Sequence, residues 1–141
     1  MKYRFLEDIA TADIAFEAYG KDLSELFTNC GLALSETMVD IKNVGHTLKW
    51  QVENANKKLE GLLFDFLSEL VFLKDKEAVV FSGFNVNITE DGGYLLKADV
   101  FGEKIDHTKH QLKVDIKGVT MHLLKVEKGK EGYKAMVVLD I

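Results

Sequence analysis

The chain has 141 residues, 47% of them hydrophobic and 29% charged, with a formal net charge of −5 and a single cysteine. That length suits one domain with its own core, here taken as residues 1–141. The lone Cys30 excludes an internal disulfide or a thiolate metal cluster, the acidic balance argues against tight nonspecific grip on nucleic acid, and no apolar run reaches the roughly 20 residues of a membrane span.

In chain order, KYRFLED opens as a short strand, and acids in MKYRFLEDIA, where a secretory signal would be apolar, imply a cytoplasmic address. ADIAFEAYG alternates as a strand, with Ile14, Phe16 and Ala18 on one face and Asp13, Ala15 and Glu17 on the other; Gly20 ends it. Asp22 or Ser24 can cap a helix in which Leu23, Leu26, Phe27, Cys30 and Leu34 recur at helical spacing, so Cys30 reads as a core residue. GHTLKWQVEN is a strand with Leu48, Trp50 and Val52 facing one way, and Asn54 or Asn56 can start a second helix. There Leu59, Leu62, Leu63, Phe66, Leu67 and Leu70 form an apolar stripe that belongs to the core.

From Ala78 onward the chain is strand-rich. AVVFSGFNVNIT and GYLLKADVFG flank the hairpin signal EDGG; KHQLKVDIKG, VTMHLLKVEK and YKAMVVLDI follow, the last two joined by GKEG. Two helices among sequential strands predict an α+β protein, with both helices packed on an extensive, mainly antiparallel sheet.

Phosphate loops, GxSxG elbows, HExxH helices and EF-hand loops are absent from the sequence. His107 and His110 have a spacing that can ligate zinc, but two histidines alone are a weak signal. In KHQLKVDIKG, Leu112, Val114 and Ile116 share one face of the expected strand and Lys113, Asp115 and Lys117 the other; the polar face is either solvated or a contact surface for a partner or its RNA.

The carboxylates raise a sharper question. Asp13 opens one strand, and Asp140 ends another one step before the carboxylate of Ile141, with no basic residue adjacent in sequence. If those ends meet, like charges converge and call for compensation, which a hard divalent ion provides through oxygen ligands. A frayed tail is the alternative. Carboxylates on a divalent ion could also activate water for hydrolysis, although no nearby His or Lys stands out as acid or base.

TADIAFEAYG (Thr11 to Gly20), LEGLLFDFLSELVFL (Leu59 to Leu73), and HQLKVDIKGVTMH together with the terminal VVLDI resemble the archease family in kind and order across nearly the whole chain. The resemblance implies an α+β protein without catalysis of its own that activates the RNA ligase of tRNA splicing. That ligase joins 3′-phosphate or 2′,3′-cyclic phosphate ends to 5′-hydroxyl ends through a guanylylated histidine, with GTP and manganese. The resemblance further implies a divalent ion, calcium, held by Asp13, Asp140 and the terminal carboxylate of Ile141. It implies indirect or weak RNA contact, and a second role as chaperone-like modulator of an RNA methyltransferase. One position departs: the family commonly has His just before TAD, where this chain has Ala10, and Glu7 or Asp8 would then compensate.

Overall fold

The computed structural model describes residues 1–7 and 13–141. Strands β1 (Tyr3–Leu6) and β2 (Asp13–Gly20) lead into helix α1 (Leu23–Met38), a 3-10 turn (Ile41–Asn43) and β3 (Leu48–Asn56). Helix α2 (Leu59–Glu77) is followed by β4 (Val79–Glu90), β5 (Tyr94–Lys104), β6 (Gly118–Val119), β7 (Lys125–Gly129) and β8 (Gly132–Asp140). The fold is α+β, as expected. Its strands divide into a five-stranded sheet ordered β1-β2-β8-β6, with β7 also on β8, and a three-stranded sheet ordered β3-β5-β4. Every pairing among the described residues is antiparallel.

Local chemistry explains the helices. Asp22 accepts a hydrogen bond from the Glu25 amide at 2.8 Å, while the Glu25 carboxylate accepts one from the Lys21 amide at 3.1 Å, so α1 has a reciprocal start. Leu26, Phe27, Cys30, Ala33 and Leu34 then fall on one fully buried stripe. In α2 the buried stripe is Leu62, Leu63, Phe66, Leu67, Leu70 and Val71, and the helix ends where Ala78 turns left-handed at φ 54. The α2 cap position is Lys58, not an asparagine; Asn56 contributes by accepting the Lys58 amide at 3.0 Å.

Helix α1 lies on β4 and β2, and α2 chiefly on β3, so one core joins both sheets through Phe16, Phe27, Phe66 and Phe81. Each such ring contributes about 2–3 kcal/mol of burial. Gly20 sits where β2 meets the start of α1. A Cβ there would lie 2.3 Å from the Leu26 backbone nitrogen, so only glycine lets the two elements touch.

The strand expected over KHQLKVDIKG does not form. Leu112 makes a single bridge to Val39, the Lys113 and Val114 amides bond to Met38 and Thr37 carbonyls at 2.8 and 3.2 Å, and only Ile116 of the expected apolar face is fully buried. Those amides are taken by the end of α1, which leaves no ladder to join. VTMHLLKVEK is likewise interrupted. β6 and β7 lie along the same edge of β8, and residues 121–124 loop out between them.

Candidate functional site

The two aspartates singled out from the sequence meet. β2 and β8 run antiparallel in continuous register from Gly20↔Tyr133 to Asp13↔Asp140, so Asp13 and Asp140 are direct cross-strand partners at one end of the five-stranded sheet. Cβ atoms of such a pair lie about 5 Å apart, and like charges there repel. β8 is central: on its other edge Gly118 pairs with Asp140, and the Lys117 amide donates to the Asp140 carbonyl at 2.8 Å. The Asp140 backbone is thus held from both sides while its side chain is exposed and that of Asp13 is half-buried. Ile141 packs its side chain against the core, which ties down the residue that follows.

Neither aspartate takes part in an ion pair among the described residues. Nor do three or more His, Cys, Asp or Glu side chains gather into a metal cage among them. The donor set at this end is therefore two facing carboxylates, with the carboxylate of Ile141 next in chain. Hard oxygens of that kind suit Ca²⁺ or Mg²⁺, which commonly complete their shells with water. Glu7 is exposed nearby in sequence, whereas Asp8, Ala10, Thr11 and Ala12 lie outside the described residues, and so does the question of what replaces the histidine.

Three polar arrangements escaped sequence reading. His110 is buried, accepts the Asp106 amide on Nδ1 at 2.9 Å and donates from Nε2 to Glu103 at 2.6 Å. Both ring nitrogens are engaged, which removes His110 from any zinc site with His107. Glu103 also accepts from the Gly45 amide at 2.9 Å and pairs with Lys109 at 2.7 Å. The Gly45 amide first, then the Lys109 and His110 donors, hold its carboxyl down to about 2 from an ordinary 4.5. Secondly, Ser82 and His46 share a 2.5 Å hydrogen bond beside the β4 bulge.

The third is Lys74, whose nearly buried ammonium reaches Asp115 at 2.6 Å, Asp75 at 2.8 Å and the Ile116 carbonyl at 2.9 Å. It ties the irregular 115–116 segment to α2. Asp115 and Ile116 lie 41 and 42 residues from it, beyond any sequence-local signal.

Residues 3–141 match the family profile described as "Archease protein family (MTH1598/TM1083)". The archease of Methanosarcina mazei is 41% identical over 142 residues, covering 99% of this chain and 96% of its own. That of Archaeoglobus fulgidus is 38% identical over 141 residues, covering 100% of both. Among solved structures, Methanobacterium thermoautotrophicum protein 1598 superposes with TM-score 0.87 at 36% identity, covering 99% of this chain and 98% of its own. An archease from Thermotoga maritima, described as a "possible chaperone", shares the fold with TM-score 0.64 at 24% identity, covering 98% of each.

Proposed function

The chain belongs to the archease family, and from that premise we propose that it is a protein cofactor that activates the RNA ligase of tRNA splicing, with no catalysis of its own. Asp13, Asp140 and the terminal carboxylate of Ile141 hold a divalent ion, Ca²⁺ by its oxygen-rich donor set. The observation that carries this reading is the register that sets Asp13 opposite Asp140 with no ion-pair partner among the described residues. A bound cation would supply the charge that lets these carboxylates sit together.

The residues act by position. β8 lies between β2 and β6, so its end presents a rigid acidic tip; an acidic tip complements a ligase site built to hold phosphates and nucleotide. Entry of that tip reshapes the ligase site, promotes guanylylation of the ligase histidine and restores it after each joining event. RNA contact by this chain is indirect, in keeping with its net charge of −5.

Multiple-turnover ligation of 3′-phosphate and 5′-hydroxyl RNA by a purified ligase of this class tests the reading. Substoichiometric wild type should raise turnover and the guanylylated fraction, and Asp13→Asn and Asp140→Asn should remove that effect while keeping the fold. Unchanged turnover with wild type would end the proposal. The description of the Thermotoga maritima archease as a "possible chaperone" supports a second reading, a chaperone-like modulator of an RNA methyltransferase. In that case client aggregation is suppressed equally by wild type, Asp140→Asn, and wild type in EDTA.

A further inference from the structure

Exposed apolar side chains are concentrated in one stretch. Four of the eight large exposed hydrophobics among the described residues, Leu112, Val114, Met121 and Leu123, fall within residues 112–123, at 40%, 37%, 64% and 49% exposure. Single exposed apolar residues need no account, but a cluster marks a contact surface. This stretch passes the acidic tip: the Lys117 amide bonds Asp140, and Gly118 pairs with it. Val114 and Met121 each lie three residues from that crossing, at most roughly 10 Å along the chain.

Two features show that the stretch is shaped to be presented. Between Thr120, whose amide bonds Val138, and Lys125, which pairs with Met136, four residues loop out of the β8 edge. Leu123 in that loop has φ 58, a region that branched and bulky side chains rarely adopt, and it holds an apolar residue outward at a position where Asn or Gly is ordinary. On the other side of the crossing, Leu112 and Val114 help line a cavity of about 280 Å³ with Met38, Val80 and Ile105, edged by the anchored Lys74. That is below the roughly 300 Å³ at which small-molecule sites usually begin, and suits an inserted side chain.

We infer that residues 112–123 are the docking surface for the ligase, an apolar collar around the acidic tip; this rests on the function proposed above. The charge beside the collar selects the occupant. With one divalent ion held, the three carboxylates still leave the tip with a net negative charge, and a second copy meeting the same face would bring two such tips together. A protein with an electropositive phosphate-handling recess and apolar rim residues is complementary on both counts. The collar supplies affinity and the tip supplies activation, so the two can be separated.

The test pairs binding with stimulation, using the full chain and purified ligase. Met121→Gln with Leu123→Asn removes the apolar loop surface, Asn being at ease in the left-handed region; Leu112→Gln with Val114→Thr alters the other side. Unchanged melting temperatures establish folding. The collar variants should bind the ligase at least tenfold more weakly and need correspondingly more protein for half-maximal stimulation, while reaching the wild-type plateau. Asp140→Asn should lose the plateau even at saturating protein, a loss that added protein does not recover. Collar variants that bind and stimulate within twofold of wild type overturn the inference and leave the function standing. A wild type that neither binds nor stimulates removes both. Sedimentation showing a wild-type dimer that the collar variants abolish would assign the face to a second copy and overturn the inference.

Discussion

Replacing Asp13 by Asn should have opposite effects on stability with and without divalent cation. The register places Asp13 opposite Asp140, with Cβ atoms about 5 Å apart. Two unit charges at that separation repel by about 0.8 kcal/mol in water and about 3 kcal/mol at an effective dielectric of 20. The exposed side chain of Asp140 favours the lower figure. Asp13→Asn removes the repulsion and keeps the shape, so in EDTA the variant should melt about 3 °C above wild type. With Ca²⁺ at a hundredfold excess over its dissociation constant, wild type gains about 2.7 kcal/mol, near 9 °C, and the variant little. The two melting curves therefore exchange order between EDTA and Ca²⁺, which scanning calorimetry reads directly. A variant no more stable than wild type in EDTA would refute the electrostatic reasoning. A wild type whose melting temperature ignores Ca²⁺, Mg²⁺ and Mn²⁺ alike would refute the cation site even if the repulsion is real.

Other consequences are independent of that site. Gly20→Ala forces a Cβ to 2.3 Å from the Leu26 nitrogen, and urea unfolding should register a loss of about 3 kcal/mol. Lys74→Met strands the Ile116 carbonyl and frees Asp115; amide exchange over residues 113–117 should quicken about tenfold, the equivalent of about 1.4 kcal/mol, while the centre of α2 stays protected. Glu103, held at about 2 by Gly45, Lys109 and His110, contributes stability that is complete above its ordinary 4.5 and is lost as pH falls from 4.5 toward 2. Glu103→Gln should flatten that part of the acid-unfolding profile, and a variant profile parallel to wild type across the window would contradict the assignment.

The parts of the fold that were legible are those with a strong period and a clean boundary. The stripe Leu62 to Leu70 and the alternation Ile14 to Ala18 each specify a face, and EDGG and GKEG specify turns, so both helices and both hairpins follow. Leu112, Val114 and Ile116 alternate just as well, yet form no strand. Alternation describes which side of a ladder a residue would face and says nothing about whether a ladder is available, and here the Lys113 and Val114 amides are drawn to the end of α1. Asp13 and Asp140 were legible as unneutralised charge; their adjacency followed only from the family resemblance, because strand neighbours 127 positions apart leave no local trace. The Glu103–His110 pair was hidden for a different reason: nothing in DHTKH distinguishes a histidine folded inward over its own loop from one turned to a metal.

The placement of β8 between β2 and the β6–β7 edge has a consequence for how the molecule assembles. Its five-stranded sheet is completed only when residues 13–20 find residues 132–140, and closing a loop of that span opposes folding by roughly 4 kcal/mol before the sheet repays it. High contact order of this kind slows the search: β1 and β2 can pair with each other early, but the second edge of β2 must wait for β8. Shortening β8 by a few residues would consequently not fray an edge; it would withdraw the keystone and part the β1–β2 pair, β6 and β7 from one another.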